Sequence, residues 1–232
     1  MKDFVVIIPA YNPMNELPNY IKNLLDENVL GIVVVDDGSD QVFSDLFENI
    51  TQLERTIVLK HEVNMGKGAA LKTGFNYINA NYSHVNSVVT ADSDGQHLVV
   101  DVVNVGDEMV ATLADYILGT RNFARSGVPF RSRIGNWFTS LVFALFFQLK
   151  IRDTQTGLRA FKTNQLENLM KVSGNRFEYE INMLIMIAKE KHSMDSVAIS
   201  TVYHDEHTSH YSTIKDSVSI GKQMVKGLFV SK

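Results

Sequence analysis

Short apolar runs rich in β-branched residues alternate with helix-patterned segments through the first 120 residues. The runs cover residues 4–9, 31–35, 56–59, 87–89 and 115–119, and polar turns or loops follow them. Continuous apolar runs of this length are typical of parallel strands that are buried on both faces. The alternation therefore predicts an α/β fold with a mostly parallel central sheet, right-handed crossovers and flanking helices.

Polar side chains follow three of these predicted strands. Asn12 comes after the first strand, Asp36 and Asp37 after the second, and Asp92 and Asp94 after the run at residues 87–89. Because ligands of such sheets bind beyond the carboxyl ends of the strands, these turns should meet at one edge. Their coincidence predicts a single ligand site there.

The turn at residues 90–97 carries Asp92 and Asp94 with one small residue, Ser93, between them. Two carboxylates this close repel each other, and a hard divalent cation with phosphate oxygens as further ligands would compensate them. Gln96 adds a neutral oxygen. The alternative is an ordinary turn, because Asp, Ser and Gly favour turns through local hydrogen bonds.

Two further segments have the composition of anion sites. Residues 64–68, with Gly66, Lys67 and Gly68, open a predicted helix and suggest a phosphate cradle, although the Walker A pattern is absent. The loop at residues 120–133 carries four arginines, Arg121, Arg125, Arg131 and Arg133. A tight turn and a solvated loop are the respective alternatives to phosphate and anion binding.

Composition excludes several classes of protein. The net charge of -4 argues against a nucleic-acid binder, and the lack of cysteine excludes disulfides and thiolate metal sites. Absence of cysteine also fits a reducing compartment, and no apolar stretch has the length of a membrane span. We therefore expect a cytoplasmic protein.

The most apolar stretch lies at residues 137–149, with cationic residues on both sides. Its simpler interpretation is a buried helix. The alternative is a helix at a membrane surface, with its rings in the interface and its cations near lipid phosphates. The latter would make the protein peripheral to the membrane.

Six motifs together resemble the family 2 glycosyltransferases of the GT-A fold, and among them the dolichyl- or polyprenyl-phosphate sugar synthases. The motifs are, in order, Pro9-Ala10-Tyr11-Asn12, Asp36-Asp37-Gly38-Ser39, Asn64-Met65-Gly66-Lys67-Gly68, Asp92-Ser93-Asp94-Gly95-Gln96-His97, Asp153-Thr154-Gln155-Thr156-Gly157 and Phe177-Glu178-Tyr179-Glu180. The match extends over residues 4–205. It implies one Rossmann-like domain over residues 1–232, with a donor half at about 1–120 and an acceptor half, a helical and β extension, at about 121–232.

The resemblance implies a nucleotide-sugar donor and a bound Mg²⁺ or Mn²⁺. The donor would contact Pro9, Ala10, Tyr11, Asn12, Asp37, Gly38, Lys67, Asp92, Ser93 and Asp94. Asp92, Asp94 and Gln96 would hold the metal against the diphosphate. The metal would neutralise the charge that develops on the departing nucleotide.

The same resemblance implies transfer of a hexose, mannose or glucose, from a GDP- or UDP-sugar to a polyprenyl phosphate, with inversion. Arg121 and Arg133 would receive the acceptor phosphate, which is already nucleophilic and requires no strong base. A saccharide or cell-wall hydroxyl is the alternative acceptor, and Asp153 or Glu178 would then be the base. Asp94 completes the expected catalytic set.

The alternative that is not an enzyme is a non-catalytic nucleotide-sugar-binding subunit that docks on a membrane partner protein. The intact acidic and arginine motifs disfavour it. His204, His207 and His210 have a spacing that suggests a second metal site, but in the family this segment is a loop near the active site. Toward the end of the chain the pattern predicts a strand at 197–202 and a helix at 214–229.

Overall fold

The structure, a computed structural model, describes residues 1–82, 84–121 and 130–200, with only the backbone described at 130–134. Its strands are β1 (Phe4–Ala10), β2 (Gly31–Asp36), β3 (Thr56–Lys60), β4 (Ser87–Thr90), β5 (Tyr116–Arg121), β6 (Arg159–Lys162) and β7 (Met194–Ile199). Its helices are α1 (Leu17–Asp26), α2 (Ser44–Thr51), α3 (Lys67–Asn81), α4 (Val99–Ala111), α5 (Phe130–Phe146), α6 (Leu166–Lys171) and α7 (Glu178–Glu190).

The described strands form one sheet in the order β3-β2-β1-β4-β6-β5-β7. Strand β6 runs antiparallel to β4 and β5, whereas the other pairings are parallel. The chain adds β2 and β3 on one side of β1 and then returns to place β4 on the other side. This reversal leaves a crevice beyond the carboxyl ends of β1 and β4. The predicted α/β class with a mostly parallel sheet is confirmed.

Two apolar cores cover the two faces of the sheet. Alternate residues of β1 enter different cores: Val5 and Ile7 pack with α3, α6 and α7, whereas Val6 and Ile8 pack with α1, α2 and α4. Every residue of β1 and β2 is buried. Burial on both faces explains why these strands are continuous apolar runs instead of alternating patterns.

The structure corrects the sequence-based prediction of the helix after residue 98. The apolar residues Val102, Val105, Met109 and Leu113 have helical spacing and predict a helix that includes Leu113. Helix α4 ends at Ala111, however, and Leu113 is 98% exposed. The late strand β7 begins and ends about three residues before its predicted range. The predicted helix at 214–229 and the histidines His204, His207 and His210 lie outside the described residues.

Helix α5 contradicts the simpler prediction for the apolar stretch. Phe143 is buried in the core, but Trp137, Phe138, Leu145 and Phe146 are each more than half exposed. The stretch is therefore a helix whose apolar face is left exposed by the described part of the chain. In the described part of the chain, no helix has the length and apolarity that crossing a membrane requires.

Candidate active site

A cleft of about 300 Å³ lies at the carboxyl ends of β1 and β4. The predicted donor residues line it, with the exception of Asn12 and Gly38: they are Pro9, Ala10, Tyr11, Asp37, Lys67, Asp92, Ser93 and Asp94. Arg176 and Phe177, which the sequence did not assign to the donor site, form part of its wall. The chain segments at the ends of β1, β2 and β4 therefore meet at one site, as the sequence predicts, although Asn12 itself does not line the cleft.

Asn12 joins two loops at the rim of the cleft. Its backbone is left-handed, with φ of 46°, and its side chain exchanges hydrogen bonds with Asp40: Nδ2 donates to the Asp40 carboxylate and Oδ1 accepts from the Asp40 N–H. The Asn12 N–H donates to Ser39 Oγ. Asn12 thus fixes the loop after β1 against the loop after β2.

Asp37 is buried and holds the loop that leads into α3. Its carboxylate accepts hydrogen bonds from the backbone N–H groups of Met65 (2.9 Å) and Gly66 (2.7 Å), and lies 2.7 Å from His61 Nδ1. Gly38, with φ of +72°, lies against the backbone of Val63 and leaves no space for a side chain. The nucleoside contact of Asp37 remains a prediction, and its observed contacts position the loop before Lys67.

The entry of α3 packs closely against the entry of α7. A side chain on Gly66 would overlap the carbonyl of Asn175, and one on Gly68 would overlap Tyr179. The Ala69 N–H donates to the Asn175 carbonyl at 2.9 Å. The glycines of this motif therefore bring two helix entries together and place Lys67 at the base of the cleft.

Lys67 lies between two carboxylates. Its Nζ is 2.7 Å from Asp92 Oδ1, 3.1 Å from Glu180 Oε1 and 3.2 Å from Glu180 Oε2. Burial by itself would lower the pKa of Lys67, but Asp92 and Glu180 raise it above its ordinary value. Glu180 was not assigned to the site by the sequence, because the motif that contains it offers two carboxylates.

Asp92 and Asp94 have opposite pKa shifts. Burial acts to raise the pKa of Asp92, but the charges of Lys67, His97 and Arg159 outweigh it and lower this pKa to about 2. Burial, followed by the neighbouring Asp92, raises the pKa of Asp94. One carboxylate is thus already compensated by a cation, and the other is not fully compensated.

Glu178 is the other carboxylate of the α7 motif, and it accepts hydrogen bonds at the start of this helix. Its Oε1 accepts hydrogen bonds from the N–H groups of Asn175 (3.1 Å) and Arg176 (3.3 Å). These contacts give Glu178 a capping role in the turn before α7. The role of Glu178 as a catalytic base stays a prediction, and it is Glu180 that reaches Lys67.

Asp153 is fully buried and pairs with Arg121. Its Oδ2 accepts from Arg121 Nε (2.7 Å) and the Arg121 N–H (3.2 Å), and its Oδ1 accepts from Arg121 Nη2 (2.9 Å) and the Gln155 N–H (3.1 Å). These four hydrogen bonds use the carboxylate's acceptor sites. The geometry therefore argues against Asp153 as a base and makes it the anchor of the Arg121 guanidinium.

The remaining predicted residues are described in part. Gln96 donates its N–H to Asp94 Oδ1 at 3.0 Å, which fixes the turn after Asp94. Arg133 lies in α5, but its side chain is outside the described part, and so is the whole of Arg125. Among the described residues, no group of three or more His, Cys, Asp or Glu is arranged to hold a metal ion.

The donor set at the end of β4 nevertheless fits Mg²⁺ or Mn²⁺ in one respect. Asp92 and Asp94 supply carboxylate oxygens, which these cations prefer, at the wall of an open cleft. Two carboxylates are too few for a site made by protein alone. The residues therefore fit a cation that receives further oxygen ligands from a bound phosphate compound.

A crevice at the reversal point of a parallel sheet, lined by two carboxylates and a lysine, is typical of α/β proteins that bind a nucleotide or other phosphorylated ligand. The family model for glycosyl transferase family 2 matches residues 5–174, and the chain belongs to this family. The resemblance of its motifs is thereby confirmed. The protein is a glycosyltransferase.

Curated relatives extend this result. The chain is 31% identical over 220 residues to the UDP-N-acetylglucosamine–dolichyl-phosphate N-acetylglucosaminyltransferase of Methanococcus voltae, with 85% of each chain covered. It is 31% identical over 205 residues to an uncharacterized protein of Methanocaldococcus jannaschii, with 87% and 82% covered. It is 24% identical over 249 residues to the dolichyl-phosphate beta-glucosyltransferase of Saccharomyces cerevisiae, with 95% and 72% covered.

Solved structures of the same fold include glucosyl-3-phosphoglycerate synthase from Mycobacterium tuberculosis. Its complex with Mn²⁺, UDP and glucosyl-3-phosphoglycerate superposes with a TM-score of 0.69 at 14% identity, covering all of this chain and 81% of that one. Its complex with Mg²⁺ and UDP gives a TM-score of 0.65 at 14% identity, with the same coverage. At this identity the likeness establishes the fold alone, which is the predicted GT-A fold.

Proposed function

We propose that this protein transfers a sugar from a nucleotide-sugar to a polyprenyl phosphate, with inversion. Residues 1–120 supply most of the donor site, Arg176 and Phe177 complete its wall, and the acceptor binds within residues 121–232. The names of the relatives favour a UDP-sugar with glucose or N-acetylglucosamine as the sugar, and a GDP-sugar is the other donor to test.

The pairing of Arg121 with Asp153 is the observation that carries this proposal. Strand β6 lies between β4 and β5 and is antiparallel to both, so β4 and β5 end at the same edge of the sheet, with their backbones two strand spacings, or roughly 10 Å, apart. Asp92 follows β4 and Arg121 ends β5 at this edge. A guanidinium fixed by a buried carboxylate is pre-organised for an anion. Asp153 and Glu178, the two bases predicted for a hydroxyl acceptor, are both engaged in hydrogen bonds that hold other groups. A phosphate acceptor requires no such base.

The chemistry follows from these positions. An oxygen of the acceptor phosphate forms a bond to the anomeric carbon while the bond from that carbon to the diphosphate breaks, and the nucleoside diphosphate leaves with the electron pair. Arg121 orients the acceptor, and Asp92 and Asp94 hold the divalent cation. When bound, this cation supplies charge that stabilises the leaving diphosphate. Lys67 contributes a further positive charge at the same wall.

Helix α5 supports a lipid acceptor and a peripheral location at the cytoplasmic face of a membrane. Its exposed side chains include Trp137, Phe138 and Leu145, and the exposed cations Lys150 and Arg152 follow it. Between Tyr116 and Arg152 the sequence has six Arg and Lys and no Asp or Glu. A surface that is both apolar and cationic matches an anionic lipid layer.

A donor screen tests the proposal. Release of nucleotide from UDP-glucose, UDP-N-acetylglucosamine and GDP-mannose should be measured without acceptor, with a short-chain polyprenyl phosphate and with a saccharide, using Asp94→Asn as the inactive control. Donor binding should be measured in parallel by calorimetry. We expect release from one donor, dependent on the lipid phosphate and on added Mg²⁺ or Mn²⁺. Release that depends on a saccharide instead would establish the hydroxyl acceptor, and donor binding without release under any condition would establish a non-catalytic subunit.

A further inference from the structure

Lys67 binds one of the two carboxylate oxygens of Asp92, which is a predicted ligand of the divalent cation. Its Nζ lies 2.7 Å from Asp92 Oδ1, a distance typical of a charge-assisted hydrogen bond. The side chain is only 16% exposed, so water screens this contact little. In the structure, the charge of Asp92 is therefore already balanced by a group of the protein.

The same ammonium group has a second carboxylate within reach. Both oxygens of Glu180 lie 3.1–3.2 Å from Lys67 Nζ, and Glu180 is almost fully buried. Glu180 follows the α7 entry that packs on the entry of α3, so it stays close to Lys67 whatever Asp92 binds. Lys67 Nζ now contacts both Asp92 and Glu180. A small movement of Nζ away from Asp92 would leave it in contact with Glu180 alone.

A divalent cation on Asp92 and the ammonium of Lys67 exclude each other in part. They carry like charges, and both bind the carboxylate oxygens of one side chain, which are limited in number. Asp94 by itself offers too few ligands to hold the cation. Metal binding in the absence of donor must therefore displace Lys67 from a favourable contact.

A diphosphate changes this balance, because it brings negative charge to the cleft wall that Lys67 already forms. It gives the ammonium a new partner at the same time as it gives the cation further oxygen ligands. We propose that Lys67 is an internal counter-ion of Asp92 that couples metal binding to donor binding: it yields Asp92 to the cation when the diphosphate arrives, and Glu180 holds it afterwards. This inference rests on the proposed function for the identity of the donor site.

The proposal makes Lys67 and Glu180 positioning residues with opposite effects on the metal. Without Lys67, Asp92 is available and the cation binds more tightly in the absence of diphosphate. Without the charge of Glu180, Lys67 is held by Asp92 alone and the cation binds more weakly. Coupling is reciprocal, so the factor by which diphosphate strengthens metal binding equals the factor by which metal strengthens diphosphate binding.

The experiment is a titration of Mn²⁺ followed by electron paramagnetic resonance, which reports free Mn²⁺ without turnover. Wild type, Lys67→Met, Lys67→Arg and Glu180→Gln are titrated alone, with saturating UDP and with saturating inorganic pyrophosphate. Lys72→Met is the matched control, because Lys72 lies on the same helix and its Nζ bonds the Gly174 carbonyl instead of Asp92. Thermal denaturation of each variant verifies folding.

We expect Lys67→Met to bind Mn²⁺ alone about tenfold more tightly than wild type, the scale of one charge-assisted contact. Its coupling factor with either diphosphate should fall by a similar factor, whereas Lys67→Arg and Lys72→Met stay near wild type and Glu180→Gln binds Mn²⁺ alone more weakly. An unchanged coupling factor in a folded Lys67→Met protein would overturn the inference and leave the proposed function intact. Wild type that binds no Mn²⁺ even with UDP or pyrophosphate would overturn both.

Discussion

Gly157 lies directly against the carboxylate of Asp92. A methyl group at position 157 would overlap both carboxylate oxygens of Asp92. Gly157 precedes β6, the antiparallel strand beside β4, so the loop that carries Asp153 also shapes the metal side of the cleft. This contact explains physically why a glycine ends the motif at residues 153–157.

We therefore predict that Gly157→Ala displaces Asp92 and weakens binding of the divalent cation with donor. A displacement of about 1 Å can reduce turnover on the order of 100-fold. Turnover and Mn²⁺ affinity with UDP would both be measured. Gly135→Ala is the matched control, since among the described residues a methyl group there meets only the flexible end of the Gln155 side chain. Equal losses in both variants would contradict the assigned contact.

A second prediction concerns the stability of the protein without metal. Asp94 has a raised pKa, so its ionised form costs folding free energy at neutral pH. Asp94→Asn should therefore raise Tm in the presence of a chelator at neutral pH. The cost is complete above the raised pKa and absent below the ordinary value of 3.8, so the gain should shrink as pH falls.

Asp92→Asn should act in the opposite direction. The pKa of Asp92 is lowered to about 2, so its ionised form stabilises the folded state above pH 3.8 and this contribution is lost between 3.8 and about 2. The substitution also removes a partner of the buried Lys67 ammonium, and we expect Tm to fall by a few degrees at neutral pH. Thermal denaturation of both variants with chelator decides the point, and the same sign for both would refute the assigned charge balance.

Much of this site was predictable because parallel strands impose its layout. Runs of β-branched residues indicate strands buried on both faces, and polar residues at their ends must then share an edge. Sequence could not distinguish Glu178 from Glu180, since which of them reaches Lys67 depends on how α7 packs against the entry of α3. Likewise, an acidic residue at position 153 suggests a base, and only the tertiary structure reveals that Arg121 occupies its oxygens.

The exposure of α5 was unpredictable for a related reason. An apolar helix is buried when another element covers it, and its own sequence does not contain that information. Trp137 and Phe143 are both aromatic and belong to the same helix, yet Trp137 is 64% exposed and Phe143 is fully buried. Leu113 shows a different limit, because apolar spacing does not reveal where a helix ends. It continues the spacing of α4 although the helix ends at Ala111.

The third prediction distinguishes an anchor from a base at position 153. If Asp153 holds Arg121 for an acceptor phosphate, Asp153→Asn should raise the acceptor KM about tenfold and leave donor affinity unchanged. Arg121→Lys should give a similar change, because lysine keeps the charge but loses the planar fork. Arg55→Lys is the control, since Arg55 bonds the carbonyls of Val29 and Leu25 away from the site.

A base role for Asp153 has a different kinetic signature. It would lower kcat by about 10²–10⁴-fold and remove a limb of the pH–rate profile, with acceptor KM little affected. Steady-state kinetics with a short-chain polyprenyl phosphate at saturating donor, repeated across pH, separates the two roles. If Asp153→Asn lowers kcat and also removes a limb of the pH–rate profile, Asp153 acts as a base, and a hydroxyl acceptor becomes the better hypothesis.

The fourth prediction concerns membrane binding by α5. Leu145 is 66% exposed on the apolar face, and Leu113 is 98% exposed at the end of α4, so the same substitution at the two positions forms a matched pair. Leu145→Ser should weaken binding to vesicles about tenfold, because an apolar side chain no longer leaves water. Leu113→Ser should bind like wild type. Co-sedimentation with vesicles measures both.

Lipid charge provides the second arm of this experiment. Lys150 and Arg152 are exposed just beyond α5, and each cation near an anionic surface contributes about 1 kcal/mol. Wild type should therefore prefer vesicles that contain phosphatidylglycerol over phosphatidylcholine alone, and Lys150→Glu with Arg152→Glu should abolish the preference. The preference should also weaken at high salt, because the Debye length shortens. Equal binding of the two leucine variants, or no binding of wild type to anionic vesicles, would show that α5 is not the membrane contact through which a lipid acceptor reaches Arg121.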